Sequence, residues 1–280
     1  MLKLDKPNSA EAPAKSNLSY WLSLVDEQFR KKSYTLARDF ILRGLVDFPN
    51  HPLLLDRLFI VDRQWNLPIA GNRIHLVIPK ESDLSFFQQC YANAEFMDQF
   101  LPMGRKNQNA ESILFALKNS EFSVVQFKTK HWVIKKEERE GLPQNASETN
   151  LKSIGLASLV DIQIAHRRAE LLVGIPDKED RKQAAAVIAT LLIFDFAFNQ
   201  ISLHKLTSIV IANNLHSQRS TESIGFIQEG LRRQHLRDPK SRMWLDCYEN
   251  GMIENNFREN GVIARLSQRL LGRNITVKHF

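Results

Sequence analysis

From residue 17 to residue 66 apolar side chains recur at intervals of three and four. Trp21, Leu24, Val25 and Phe29 make one row, and Leu36, Phe40, Ile41 and Leu45 a second. That spacing places each row on one face of an α-helix. The stretch "DFPNHP" (47–52) ends the second helix, because proline lacks an N–H and restricts the residue before it. A third helix is predicted at 52–65. Tyr34, Ala37 and Pro49 fall where a tetratricopeptide-type helix pair carries such residues, although only about one and a half units are visible and arrays need several.

The period then changes. "NLPIAGN" (66–72) reads as a linker, and "RIHLVIP" (73–79) alternates as a strand does. Residues 82–100 open on a Ser/Asp cap and are predicted to form one amphipathic helix, with another at 109–120. Strands are predicted at 131–138, 153–165 and 169–175, with a polar loop at 141–150. A helix at 182–199, a strand at 205–213, a helix at 215–224 and strands at 226–236 and 241–250 follow. Residues 73–257 therefore read as one mixed α/β (α+β) domain with a mainly antiparallel sheet. The ends differ: 1–16 is polar without period, a flexible tail, and 258–280 is a basic helical tail.

Composition narrows the chemistry only a little. The chain has 280 residues, 43% of them hydrophobic, which is enough for a sizeable core. The apolar run from Ala184 to Phe194 is far short of the roughly 20 residues of a membrane span, and the N-terminus lacks a signal-like apolar stretch. A cytoplasmic protein is expected. Cys90 and Cys247, the two cysteines, are far apart, which gives neither a disulfide framework nor a metal-ligand spacing. Net charge is +7, favouring anionic partners. The denser basic patches, 30–32, 166–168, 232–242 and 265–278, form no aromatic-interleaved stripe, which argues against nucleic acid. Trp132 and Trp244 are expected in the core.

One stretch carries more chemistry than pattern. "DRKQAAAVIATLL" (180–192) places Arg181 and Lys182 at a helix start, where N–H groups and the dipole favour an anion. Glycines usually occupy such turns, and here Ala184, Ala185 and Ala186 stand instead. Read alone, the stretch is an anion cradle or simply a helix start.

The residues around it resemble the GNAT superfamily of N-acetyltransferases, and most closely the branch that acetylates ribosomal-protein N-termini. "RAEL" (168–171), the R-x-x-G-x-G/A position at Arg181–Ala186, "LHKL" (203–206), "ANN" (212–214), "GF" at 225–226 and "G-x-L-R-x-x-H-x-R-D" (230–238) fall in family order. "RIHLVIP" echoes the family's opening R-L-x-L-R-P. The resemblance covers about two-thirds of the chain and leaves out the first 70 residues. It implies a sheet splayed in the middle to take acyl-CoA, acetyl or longer, as co-substrate, with no metal. The strand end Leu172, Val173, Gly174 and Ile175 would then hold the pantetheine arm. Arg181, Lys182, Gln183, Ala184, Ala185 and Ala186 would hold the pyrophosphate, and Asn214 the cofactor arm.

The resemblance also implies roles in catalysis. Glu170 matches the family's base; the other reading is a strand-start residue paired with Arg167 or Arg168. Where many members have a tyrosine acid, this chain has Thr221, and Ser217 one turn earlier could serve instead; both hydroxyls could equally only cap and pack their helix. His235 matches a histidine near the acceptor cleft. The family glycines at 182, 184 and 186 are Lys182, Ala184 and Ala186 here, which leaves the main-chain donors but removes room and access to positive φ.

The expected protein is thus an N-acyltransferase acting on an amine of a peptide or protein, with the helical extension 17–66 as a docking or packing element. Two alternatives are a lipidating enzyme with a long-chain acyl donor and a degenerate GNAT-fold interaction protein. A homodimer is carried as a further arrangement.

Overall fold

The computed structural model describes residues 17–101, 109–138, 150–181, 184–238 and 240–278. The expected tail 1–16, nearly all of the loop 141–150, and Lys182 and Gln183 lie outside the described residues. The chain divides into two compact units, with the boundary between Asp62 and Arg63.

Among the described residues the first unit holds three helices: α1 (Leu18–Arg30), α2 (Tyr34–Asp47) and α3 (Pro52–Ile60). Asn17 caps α1 by accepting the Ser19 N–H at 3.1 Å, and Pro52 opens α3, where its missing N–H costs nothing. Val25, Ile41 and Leu54 are fully buried between them. A Cβ at Gly44 would lie 3.1 Å from the Trp21 ring, so the glycine lets α1 and α2 approach. Arg57 holds Asp26 through two N–H groups, Nε at 2.9 Å and Nη2 at 3.1 Å.

The second unit is built on an eight-stranded sheet, in chain order β1 (Ile69–Ala70), β2 (Ile74–Val77), β3 (Lys130–Glu138), β4 (Asn150–Gln163), β5 (Arg168–Gly174), β6 (Lys205–Ile211), β7 (Ile227–Arg237) and β8 (Trp244–Ile253). Its spatial order is β1-β2-β3-β4-β5-β6-β8-β7. Every pairing is antiparallel except β5 with β6. Helices α4 (Leu84–Ala92), α5 (Ala94–Phe100), α6 (Ala110–Lys118) and α7 (Ser123–Phe127) connect β2 to β3. Phe87, Phe96, Met97, Phe100, Ile113 and Leu117 of this group pack on Val133 and Leu156 of the sheet. Helix α8 (Ala185–Asp195) is apolar all round and almost wholly buried, as a helix between sheet and other helices must be. Helix α9 (Leu215–Ser223) follows β6, and α10 (Glu254–Glu259) and α11 (Gly261–Leu271) end the chain.

Several expectations need correction. The helix predicted over 82–100 is two: Asn93 stays extended and its side chain accepts the Phe96 N–H at 3.0 Å, starting α5 afresh. The linker 66–72 contains strand β1, with Ile69 buried. Trp65, expected at the end of the third helix, belongs to the second unit, edge-on to Phe196 at 5.3 Å. The helix expected to run to 199 changes at Phe196 into a π-helical turn ending at Gln200. Trp132 is fully buried, but Trp244 is 57% exposed on the β7–β8 hairpin, where Arg237 stacks on it.

Residues 258–278 are packed rather than solvated. Ile263, Ser267 and Ile275 are fully buried. Arg258 donates to Asn199 Oδ1 at 2.6 Å, Asn199 donates to the Ile275 carbonyl at 2.8 Å, and Arg273 binds Asp195 at 2.7 Å. Arg258 Nη2 also donates to the Phe198 carbonyl of the π-helical turn at 3.2 Å, so one main-chain acceptor there is met from this segment.

Candidate active site

The β5–β6 ladder joins only Arg168 to Lys205, Ala169 to Leu206 and Glu170 to Thr207. Beyond that point β5 keeps β4 as its partner through Gly174, while β6 continues along β8 through Ile211. The sheet therefore opens after Glu170, and among the described residues one edge of Leu171–Gly174 has no neighbouring strand. Leu172, Val173 and Gly174 are half-buried there, and Ile175 is buried. A strand edge without a neighbour presents unpaired N–H and C=O groups, which is what an extended ligand needs.

Glu170 stands at the apex of this opening. Side chains alternate along a strand, so Glu170, Leu172 and Gly174 share one face with Val160, Ser158 and Leu156 of β4. Loss of water around the Glu170 carboxyl pushes its pKa up to about 7, and Asp161 and Glu249 push the same way. Arg232 and the Ile209 backbone N–H oppose that rise. The alternative reading pairs Glu170 with Arg167 or Arg168; the charges that act on Glu170 are instead Arg232, Asp161 and Glu249, and Arg168 meets Asp161 at 3.5 Å. On the same face, Arg232 grips Glu249 through Nε at 2.9 Å and through Nη2, and Lys205 Nζ lies 2.6 Å from Glu229 Oε2. Glu249 is held in its charged form by that bond. His235 contacts Arg232 Nη1 at 3.3 Å, which places it on the rim. The Arg232–Glu249 pair was not foreseen, because it joins strands that only the β7–β8 hairpin brings together.

The other face carries α9. Asn214 caps it, its Oδ1 accepting the Ser217 N–H at 3.1 Å, while its Nδ2 reaches Gln99 Oε1 at 3.4 Å. Gln218 and Asn250 exchange amide hydrogen bonds at 2.9 and 3.0 Å, anchoring α9 on β8. Ser217 and Thr221 are half-buried on this helix. Among the described residues no hydrogen bond links either hydroxyl to Glu170. The carboxylate and the two hydroxyls flank the opening from opposite faces of the sheet.

The turn after β5 is held by its own charges. Arg181 Nε donates to the Ile175 carbonyl at 2.8 Å and Nη2 to that of Pro176 at 3.2 Å. Asp180 is buried and bound by Lys152 Nζ at 2.9 Å. Ala184 has φ 58° and ψ 23°, the left-handed conformation. The turn is thus not an ordinary first helical turn with negative φ; it keeps a backbone shape that suits glycine. Ala185 and Ala186 follow in the first turn of α8. Cys90 and Cys247 are both buried, and burial pushes the Cys90 thiol up to about 12.

An acetyltransferase (GNAT) domain model matches residues 73–227, more than half of the chain. The chain belongs to the GNAT acetyltransferases. Over 84 residues it is 30% identical to the probable N-acetyltransferase YjcK of Bacillus subtilis strain 168, an alignment spanning 30% of this chain and 46% of that protein. The chain thus matches less than half the length of this relative. Among solved structures, the spermidine N-acetyltransferase of Vibrio cholerae in complex with CoA and spermine superposes with a TM-score of 0.54 at 18% identity, covering 66% of this chain and 97% of that one. A probable acetyltransferase superposes equally well, with a TM-score of 0.54 at 17% identity over 68% and 98% of the two chains. At these identities the likeness concerns the GNAT fold.

Proposed function

We propose that this GNAT protein transfers an acyl group from acyl-CoA to an amine by direct attack. The observation that carries the reading is the opening of the sheet immediately after Glu170, which sets a half-charged carboxylate beside an unpaired strand edge. Glu170 takes a proton from the acceptor ammonium. The edge of Leu172–Ile175 holds the pantetheine arm, and one of its amides takes up the oxyanion that forms as the amine adds. The N-terminal turn of α8, from Arg181 to Ala186, faces the pyrophosphate. Its backbone donors survive the loss of glycine, and Arg181 stiffens the turn. The thiolate leaves on the face of α9, where Ser217, Thr221 or water returns a proton. Most of the acceleration comes from holding amine and thioester together.

The acceptor proposed is an amine of a peptide or protein, as in the ribosomal-protein branch. Segment 232–242 has five cations, Arg232, Arg233, Arg237, Lys240 and Arg242, against the single carboxylate Asp238. A rim of that sign suits an acidic peptide better than a polycation. The three helices of residues 18–60, tetratricopeptide-like in pattern, are proposed as its docking element. A thermal-shift titration with acetyl-CoA tests the reading, since a ligand that binds only the folded chain raises Tm. A rise, lost when CoA is replaced by adenosine, is expected; no shift with any CoA species overturns the proposal in favour of a non-catalytic interaction protein.

A further inference from the structure

The face of β5 that carries Glu170 is roofed by aromatic rings. Gly174 lies on that face, two residues beyond Leu172 and about 7 Å from it at ~3.3 Å per residue. A Cβ built on Gly174 would sit 2.6 Å from Phe96 Cε2 and 2.7 Å from Phe100 Cδ2. No side chain fits there, because the two rings already occupy the space. They lie nearly parallel, 13° apart with centroids 5.1 Å apart, and both are buried. Leu172 packs against the same cluster. The amine that loses its proton to Glu170 must meet the thioester carbonyl close to Leu172. The acyl group therefore lies beside these rings, whose edges bound the space left to it.

The rings are also prevented from swinging away. They sit on the inner side of α5, and two outward residues of the same helix reach the far side of the opening. Asp98 Oδ2 meets Lys240 Nζ on the β7–β8 hairpin at 3.3 Å, and Gln99 Oε1 meets Asn214 Nδ2 at the start of α9 at 3.4 Å. Helix α5 thus spans from β5 to both elements beyond the gap. We propose that Phe96 and Phe100, held down by this strap, limit the donor to short acyl groups, so that acetyl-CoA fits and long-chain acyl-CoA does not. The inference rests on the transferase reading above and goes beyond it by naming the residues that hold the donor to the short acyl group of the family. It also speaks against a lipidating enzyme.

The test compares binding of CoA, acetyl-CoA, hexanoyl-CoA and dodecanoyl-CoA to the full chain by calorimetry. The wild type should bind acetyl-CoA at least 10-fold more tightly than dodecanoyl-CoA. Phe96→Leu and Phe100→Leu keep apolar bulk but lose the flat ring, and each should narrow that ratio at least 3-fold while changing acetyl-CoA binding little. Lys240→Ala removes an exposed clasp without touching the core and should narrow it in the same direction, which keeps the test informative if a leucine variant misfolds. Phe115→Leu, on an exposed ring of α6, should leave it unchanged. Equal affinity of the wild type for acetyl-CoA and dodecanoyl-CoA overturns the inference, and so does a ratio unmoved in all three strap variants. In both cases CoA binding persists and the transferase reading stands. Binding of no CoA species sinks that reading and this inference together.

Discussion

Glu170 in the opened sheet and Ala184 in the turn before α8 make opposite use of their surroundings. Glu170 is a carboxyl kept from water, and its folded pKa near 7 lies well above the ordinary 4.5. Between those values the folded chain binds more protons than the unfolded one, so this group's contribution to stability is full below about 4.5 and is lost as pH rises through about 7. As a base it must be unprotonated, so kcat/KM should climb with pH around a midpoint near 7. Glu170→Gln should cut kcat/KM by ~10²-fold or more and flatten that limb. The same variant should raise Tm at pH 8 relative to wild type and leave it nearly unchanged at pH 4.5. A variant that keeps full activity, or that is destabilised at both pH values, would show that Glu170 is a structural residue. Ala184 is the converse case, an L-residue held at φ 58°. Ala184→Gly should therefore stabilise the fold by ~0.5–1 kcal/mol, less than the full left-handed penalty because glycine also loosens the unfolded chain. A fall in Tm would show that the turn does not need that conformation. Both positions could be singled out from their neighbours in the chain, but neither the raised pKa nor the positive φ could be, since each depends on atoms far away in sequence.

Among elements, the strongest contrast is between helix periodicity and helix ends. The apolar rows located α1, α2 and α6 within a few residues, because burying one face is a local property of the pattern. The division between α4 and α5 escaped the pattern because Asn93 breaks the helix with one capping bond while the apolar spacing carries on across it. Strand β1 escaped because two residues cannot show alternation; only pairing with Leu76 and His75 makes them a strand. The final segment is another such case. Its cations look solvated, yet Arg258 and Arg273 are tied to Asn199 and Asp195 beside the π-helical turn. Deleting residues 272–280 removes the fully buried Ile275 and leaves Arg258 and Asn199 short of partners. Losses of this kind cost ~2–5 kcal/mol, and unfolding in urea should shift accordingly. An unchanged midpoint would mean that the segment only decorates the surface.

At the level of the whole molecule, the boundary between the two units is sharp enough to test. Trp65 is almost completely buried against Phe196, and Asn66 accepts a hydrogen bond from the buried Lys130 ammonium at 2.8 Å. Burial lowers the pKa of that lysine to about 8, which makes its oxygen partners costly to lose. A chain starting at Arg63 should fold and keep its CoA-induced Tm shift. One starting at Leu67 should be several kcal/mol less stable, by the cost of removing a buried tryptophan and orphaning a cation. Equal stability of the two would place the boundary at the expected linker instead. If the helices of residues 18–60 hold the acceptor, the chain starting at Arg63 should also lose peptide acylation while binding acetyl-CoA normally.

Local periodicity, the order of short motifs and the charge of each segment were enough to reach a mixed α/β chain of GNAT type with a helical extension, because all three are properties of neighbours along the chain. The place where β5 leaves β6, the exposure of Trp244, the Arg232–Glu249 pair and the aromatic strap over Gly174 were decided in three dimensions. Apart from the exposure of Trp244, each joins residues between 17 and 142 positions apart, so each came into being only when the sheet and its covering helices closed around a common core.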